Sequence, residues 1–200
     1  MIDIREVLVE LAESYVDVGV SIHPIEYAQL LMGPGDPEAS YAYFVDKHTS
    51  GCALTCLGLL RKAGLRFPTI LEKYKPGFAM DTLVKLGEAS GAWIPFFKRA
   101  GRLPGHGDMV IVGAPTSQHA YTVVDVRFPG GCLIEIDSVD GGQRDKLGQE
   151  IIGRRTRTWN LSHENGVIDR TAGESDGLGN GSSRPLVGWV DVGALDWPDD

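Results

Sequence analysis

Three side chains of this 200-residue chain have the types and the order needed for nucleophilic chemistry at a carbonyl: Cys52, His119 and Asp137. A thiol attacks as its thiolate, an imidazole takes the proton and returns it to the leaving group, and a carboxylate fixes the tautomer and direction of the imidazole. Cys52 follows the short polar turn Thr49-Ser50-Gly51 and opens an apolar stretch, Ala53 to Ala63, that stops at Gly64. This spacing predicts a helix with the thiol in its first turn. There the unpaired backbone N–H groups and the positive end of the helix dipole favour thiolate over thiol. Cys56 lies one turn further in, among Leu54, Leu57 and Leu60, which is the setting of a core residue; Cys132 begins a strand after two glycines and reads as structural.

Five histidines compete for the role of base. His23 precedes a helix, His163 lies in a loose loop, and His48 would need the turn before Cys52 to fold back on itself. His106, in the tight turn Pro104-Gly105-His106-Gly107, is the main rival. His119 is preferred because it opens a strand, and a base must be held by its backbone within hydrogen-bond reach of the thiol. Asp137 ends the strand that begins at Cys132, and antiparallel neighbours bring the end of one strand beside the start of the other. Ser138, Asp140 and Gln143 stand as substitutes. A turn role for Asp137 is also consistent with the run Asp137-Ser138-Val139-Asp140-Gly141-Gly142.

The elements that must carry these residues follow from periodicity. Ile4, Val7, Leu8, Leu11, Tyr15 and Val18 recur at helical spacing with acidic residues between them, so the chain opens on an amphipathic helix. A second helix starts at Pro24 and ends before Gly33, and another runs from about Met80 to Ala89, ended by Gly91. From Gly107 the pattern changes to short β-rich runs: 108–112, 120–126, 132–137, 151–159 and 186–192, with Pro129-Gly130-Gly131 as a hairpin connection. Helices first and an antiparallel meander afterwards predict one α+β domain over residues 1–200. Its N-terminal part, 1–100, is helical and packs on a central sheet of about five strands from the β-rich part, 106–200. Ser162 to Pro185, rich in Gly, Ser, Asn and Asp, is expected to be a loop.

Composition narrows the function classes. With 42% hydrophobic and 23% charged residues, the chain can bury one sizeable core. A net charge of -8 argues against a nucleic-acid partner, which would need clustered Lys and Arg. The one basic cluster, Arg154-Arg155-Thr156-Arg157, reads as a solvated face. Three cysteines without a C-x-x-C pair make a disulfide framework improbable. No stretch approaches the ~20 apolar residues of a membrane span, and the first residues carry no export signal, so a chain made in the cytoplasm is expected.

These residues resemble the papain-like cysteine hydrolases of the NlpC and CHAP type, which cut peptide or amide bonds in bacterial cell walls. In that group a Cys opens a helix closed by a Gly about three turns on, as Cys52 and Gly64 do. A Gly-Asp pair starts a strand, as Gly107-Asp108 does, and a His starts the next, as His119 does. Asp137 corresponds by order to the polar residue that orients the His. Gly51-Cys52-Ala53-Leu54 stands where the NlpC group carries Asp-Cys-Ser-Gly. The resemblance implies a papain-like fold and a Cys52–His119–Asp137 triad that cleaves peptidoglycan peptides or amides through a thioester, without metal or cofactor. The backbone N–H of Cys52 would meet the oxyanion together with a second donor, for which Tyr43 and Ser50 are candidates. Delivery would be by a phage lysis route or a secretion apparatus, and a toxin of this kind would have an immunity protein as partner. Two rivals stand beside it: a metal site on Cys52, Cys56, His119 and Asp137, and a scaffold that binds a basic protein partner without turnover.

Overall fold

The structure is a computed structural model that describes residues 3–33, 51–66, 79–96, 102–113, 118–131, 133–160, 168–169 and 186–198. Among the described residues, four helices, α1 (Ile4–Ser14), α2 (Pro24–Met32), α3 (Gly51–Lys62) and α4 (Ala79–Ala89), precede the strands. The strands are β1 (Trp93–Pro95), β2 (Met109–Val112), β3 (His119–Gly130), β4 (Leu133–Arg144), β5 (Glu150–Asn160), β6 (Ile168–Asp169) and β7 (Leu186–Val190). They form one antiparallel sheet in the order β1-β7-β2-β3-β4-β5-β6. The expected α+β class, with helices packed on an antiparallel sheet, is therefore what the chain forms. Among the described residues, seven strands stand where five are expected, because Trp93–Pro95 pairs with β7, and Ile168–Asp169, inside the stretch read as a loop, pairs with β5.

Alternation along the strands sorts the core into two layers. Met109, Ile111, Ala120, Val124, Val139 and Ile152 join Leu8, Leu31, Leu54, Leu57 and Leu83 of the helices in one cluster. Val110, Val112, Tyr121, Val123, Ile134, Ile136, Trp159 and Trp189 form a second cluster on the other face. Helix α3 is the central support: every residue from Gly51 to Leu60 is buried. It ends as the sequence predicts, with Gly64 at φ 96° and hydrogen bonds from Gly64 N to Arg61 O and from Leu65 N to Leu60 O closing its last turn.

Two elements depart from the reading by periodicity. Helix α1 stops at Ser14, although Tyr15 and Val18 continue the apolar spacing, because the next residues pair with β5. Asp17 N donates to Ile152 O, Ile152 N to Val18 O, and Val20 N to Glu150 O. Both apolar side chains stay buried, Tyr15 in the turn over residues 15–17 that closes the helix and Val18 where the chain leaves that turn to pair with β5. Strand β4 runs on to Arg144, through the Asp-Ser-Val-Asp-Gly-Gly run that resembles a turn, with a register shift against β5 between Asp140 and Gln143.

Candidate active site

Cys52 is the second residue of α3, as its sequence position predicts, and β3 begins at His119. The first turn of α3 is seated against β4 and β5. A Cβ on Gly51 would meet the Tyr27 hydroxyl, Gly142 N at 3.1 Å and Glu150 Oε2 at 3.2 Å, and a Cβ on Gly141 would run into Thr55 Oγ1 and Gly51 O. Glycine at both positions lets the helix start and the β4 bulge touch through backbone. Thr55 Oγ1 donates to Gly51 O at 2.7 Å inside the same contact.

His119 is 5% exposed and lies between two partners. Its Nε2 is 2.6 Å from Asp140 Oδ2, and the Cys52 side chain is its other hydrogen-bond partner. Burial pushes the imidazole down. The hydrogen bonds to Asp140 and Cys52, with the negative charge of both, outweigh it and hold His119 up at about 9. Asp140 is fully buried, which disfavours its charge, yet Arg157 and His119 hold its carboxyl well below the usual carboxylate range. Its Oδ1 accepts from Ser138 Oγ at 2.6 Å and from Arg157 Nη1 at 3.1 Å, and its Oδ2 also accepts from Arg157 Nη2.

The acceptor read at Asp137 is therefore corrected to Asp140. Register is the reason: β3 pairs with β4 through Thr122↔Val139 and, past a shift, Asp125↔Asp137. Asp137 thus sits opposite a residue six positions along β3 from His119, roughly 20 Å at about 3.3 Å per residue. Its carboxylate accepts from Arg127 Nη1 and Thr156 Oγ1, both at 2.6 Å. Continuing the register from Thr122↔Val139 puts Asp140 beside Tyr121 and diagonal to His119. Ser138 supports Asp140 rather than replacing it, and Gln143 Oε1 accepts from Arg155 Nε at 3.0 Å.

His106 is not near the thiol: it is half exposed, with Nε2 3.4 Å from Asp125 Oδ1. The Gly107-Asp108 pair has a structural explanation. Asp108 is buried and accepts from Arg5 Nη1 at 2.6 Å, Gly105 N at 2.8 Å and Val192 N at 3.1 Å, tying α1 and the turn after β7 to the start of β2. His23 occupies the N-cap position of α2 without a side-chain capping bond, and is exposed. Cys56 is buried with Sγ 3.9 Å from Thr122 Oγ1, and burial pushes its thiol strongly up. With Cys56 facing Thr122 and Asp137 facing Arg127, the four ligands of the metal reading are not gathered. No group of three or more His, Cys, Asp or Glu suited to a metal ion occurs among the described residues. His48, His163, Cys132, Tyr43 and Ser50 lie outside the described residues.

Three further residues at the site escape a reading by motif. Tyr27 Oη donates to Glu150 Oε2, which also accepts from Gly51 N, each at 3.2 Å. Burial and the Glu150 carboxylate push the Tyr27 hydroxyl well up, which keeps it a donor. Burial likewise raises Glu150. Arg157 belongs to the cluster read as a solvated face, yet it is only 11% exposed. Period-2 alternation was the available signal, since Arg155 and Arg157 share one face of β5 while Arg154 pairs with Glu13 of α1 on the other. The arrangement as a whole can move a proton from a thiol to an imidazole and keep the resulting charges in place. Among the described residues, no helix is long and apolar enough to cross a membrane. Set against known proteins, the chain matches no family model, no curated protein and no solved structure.

Proposed function

We propose that this chain is a cysteine-dependent amide or peptide hydrolase of papain-like type, working through Cys52, His119 and Asp140. One observation carries the reading: a single buried imidazole joins the first-turn thiol of α3 to a buried carboxylate, with Nε2 2.6 Å from Asp140 Oδ2. That order of contacts, thiol to ring to fixed acceptor, is the logic of a thiol nucleophile with an oriented base.

In this mechanism His119 takes the Cys52 proton, and the thiolate attacks the carbonyl carbon of the scissile amide. The backbone N–H of Cys52, in the first turn of α3, meets the oxyanion. Collapse breaks the C–N bond, His119 protonates the departing amine, and a thioester remains on Cys52. Water then gives its proton to His119 and attacks the thioester carbonyl, releasing the acid and restoring the thiol. Asp140 holds the ring throughout. The substrate class, a peptide or amide of peptidoglycan, rests on the resemblance to the NlpC and CHAP hydrolases at Cys52, Gly64, Gly107-Asp108 and His119.

The test is to incubate the protein and its Cys52→Ala variant with purified peptidoglycan and analyse the fragments by mass. New peptide or amide termini from the wild type alone support the reading; identical products from both refute it. A second reading, a scaffold that binds without turnover, is favoured by the 6% exposure of Cys52. It predicts that iodoacetamide modifies Cys52 no faster than Cys56.

A further inference from the structure

We propose that Arg157 is the positioning residue of this site, holding the Asp140 carboxylate in the one orientation from which it faces His119. The inference rests on the Cys52–His119–Asp140 reading above. It starts from strand pairing: Arg157 of β5 lies opposite Ile136 of β4, so its side chain shares a face with Ser138 and Asp140 further along β4. The guanidinium spans both carboxylate oxygens, with Nη1 on Oδ1 at 3.1 Å and Nη2 on Oδ2. Nη1 also donates to Ser138 Oγ, which in turn donates to Oδ1 at 2.6 Å. The guanidinium carbon lies 4.2 Å from the centroid of the Tyr121 ring, which is itself 6.3 Å from the His119 ring.

Three features make this a positioning device and not only a packing contact. The two-point fork sets the carboxylate plane, a constraint that a single ammonium cannot impose. With Oδ1 taken by Ser138 and Arg157, the acceptor direction left to His119 is on Oδ2. Finally, thiolate, imidazolium, carboxylate and guanidinium alternate in sign, so the buried row sums to zero. Without Arg157 the row would carry one uncompensated negative charge, which burial disfavours, and the site would relieve it by taking up a proton from solvent at the expense of the Cys52 thiolate.

The experiment compares the pH profile of Cys52 alkylation by iodoacetamide, located by mass spectrometry, in the wild type, Arg157→Met, Arg157→Lys, Asp140→Asn and the Asp140→Asn/Arg157→Met double variant. Folding is checked by circular dichroism. In Arg157→Met the acid limb should move up by at least about one pH unit, a tenfold loss of thiolate on that limb. Arg157→Lys, which keeps the cation but not the fork, should fall between wild type and Met. The double variant should label at the rate of Asp140→Asn alone, because Arg157 acts through Asp140. A wild-type profile in folded Arg157→Met, or an equal further loss in the Asp140→Asn background, overturns the proposal. Should the Met variant not fold, an unchanged profile in Arg157→Lys overturns it in the same way. The downfield proton resonance of the Nε2–H held between His119 and Asp140 gives a readout independent of the thiol. It should be present in the wild type and lost or displaced in Arg157→Lys, and its persistence unchanged also overturns the proposal. Slow labelling of wild-type Cys52, by contrast, strikes the hydrolase reading and leaves this resonance to decide the role of Arg157.

Discussion

Replacing Asp140 by Asn keeps the size of the side chain and removes the charge that holds His119 protonated. In the native protein that imidazole is raised from 6.5 to about 9, with burial opposing and Asp140 the larger of its two supports. The gap is worth ~3 kcal/mol, at about 1.4 kcal/mol per factor of ten. Because the folded value lies above the unfolded one, this stabilisation is fully present below 6.5 and disappears as pH rises through 9. For Asp140 the folded value is lowered, so its contribution is present above its ordinary 3.8 and lost as pH falls below it. Asp140→Asn removes both limbs and leaves Arg157 buried without its counter-charge, a loss of about 3 to 5 kcal/mol near pH 6. The decisive assay is the His119 titration by NMR. We expect a midpoint near 9 in the wild type and one near or below 6.5 in Asp140→Asn. An ordinary thiol of pKa about 8.5 is only about 3% ionised at pH 7, so loss of the imidazolium should slow Cys52 alkylation there by up to about 30-fold. A midpoint that does not move, or a wild-type midpoint already at or below 6.5, refutes the reasoning.

The other predictions test the site's neighbours. Iodoacetamide should modify Cys52 well before Cys56 near neutral pH, and His119→Ala should slow that reaction at least about tenfold; His106→Ala should leave it unchanged, and the reverse pattern would reassign the base. Gly141→Ala drives a methyl into Thr55 and the Gly51 carbonyl, so it should cost about 3 kcal/mol in denaturant unfolding and slow Cys52 alkylation, because the helix start is displaced. Asp108→Asn strips a buried carboxylate from Arg5 and two backbone N–H groups. It should cost about 3 kcal/mol, roughly 10 °C in melting temperature, while leaving Cys52 reactivity intact; a stable variant with a dead thiol would give Asp108 a chemical role instead.

What could be read in advance follows the range of the interaction. Helix α3 was legible because its signals are local: a polar turn, an apolar run and Gly64. The start of β3 at His119 was legible for the same reason, as was the succession of helices and antiparallel strands. Choosing Asp140 over Asp137 is not a local matter. It depends on a register shift after Val123 and on β4 continuing past Asp137, and neither is written in the residues concerned. Gly141-Gly142 looks like a turn by composition, yet Gly141 is there because α3 leaves no room for a Cβ. Arg157 escaped because a basic cluster in a strand reads as a solvated face, and its partner is supplied by the neighbouring strand.

The two faces of the sheet explain why the base must be the first residue of β3. Cys56, one turn along α3 from Cys52, meets Thr122, so α3 and its thiol belong to the helix side. Tyr121 packs with the second core and under Arg157, so Asp140, Ser138 and Arg157 belong to the opposite side. A side chain in mid-strand projects to one face only. His119 stands where β3 begins, pairing with Val112 at the end of β2, and its ring reaches both the acceptor on one face and the sulfur on the other. A histidine moved one residue inward, to 120, would point into the helix-side core and lose Asp140. Moved to 121, it would keep Asp140 within reach and lose the thiol. Of the positions along this strand, 119 is the one that can join a nucleophile from the helical layer to a carboxylate from the sheet.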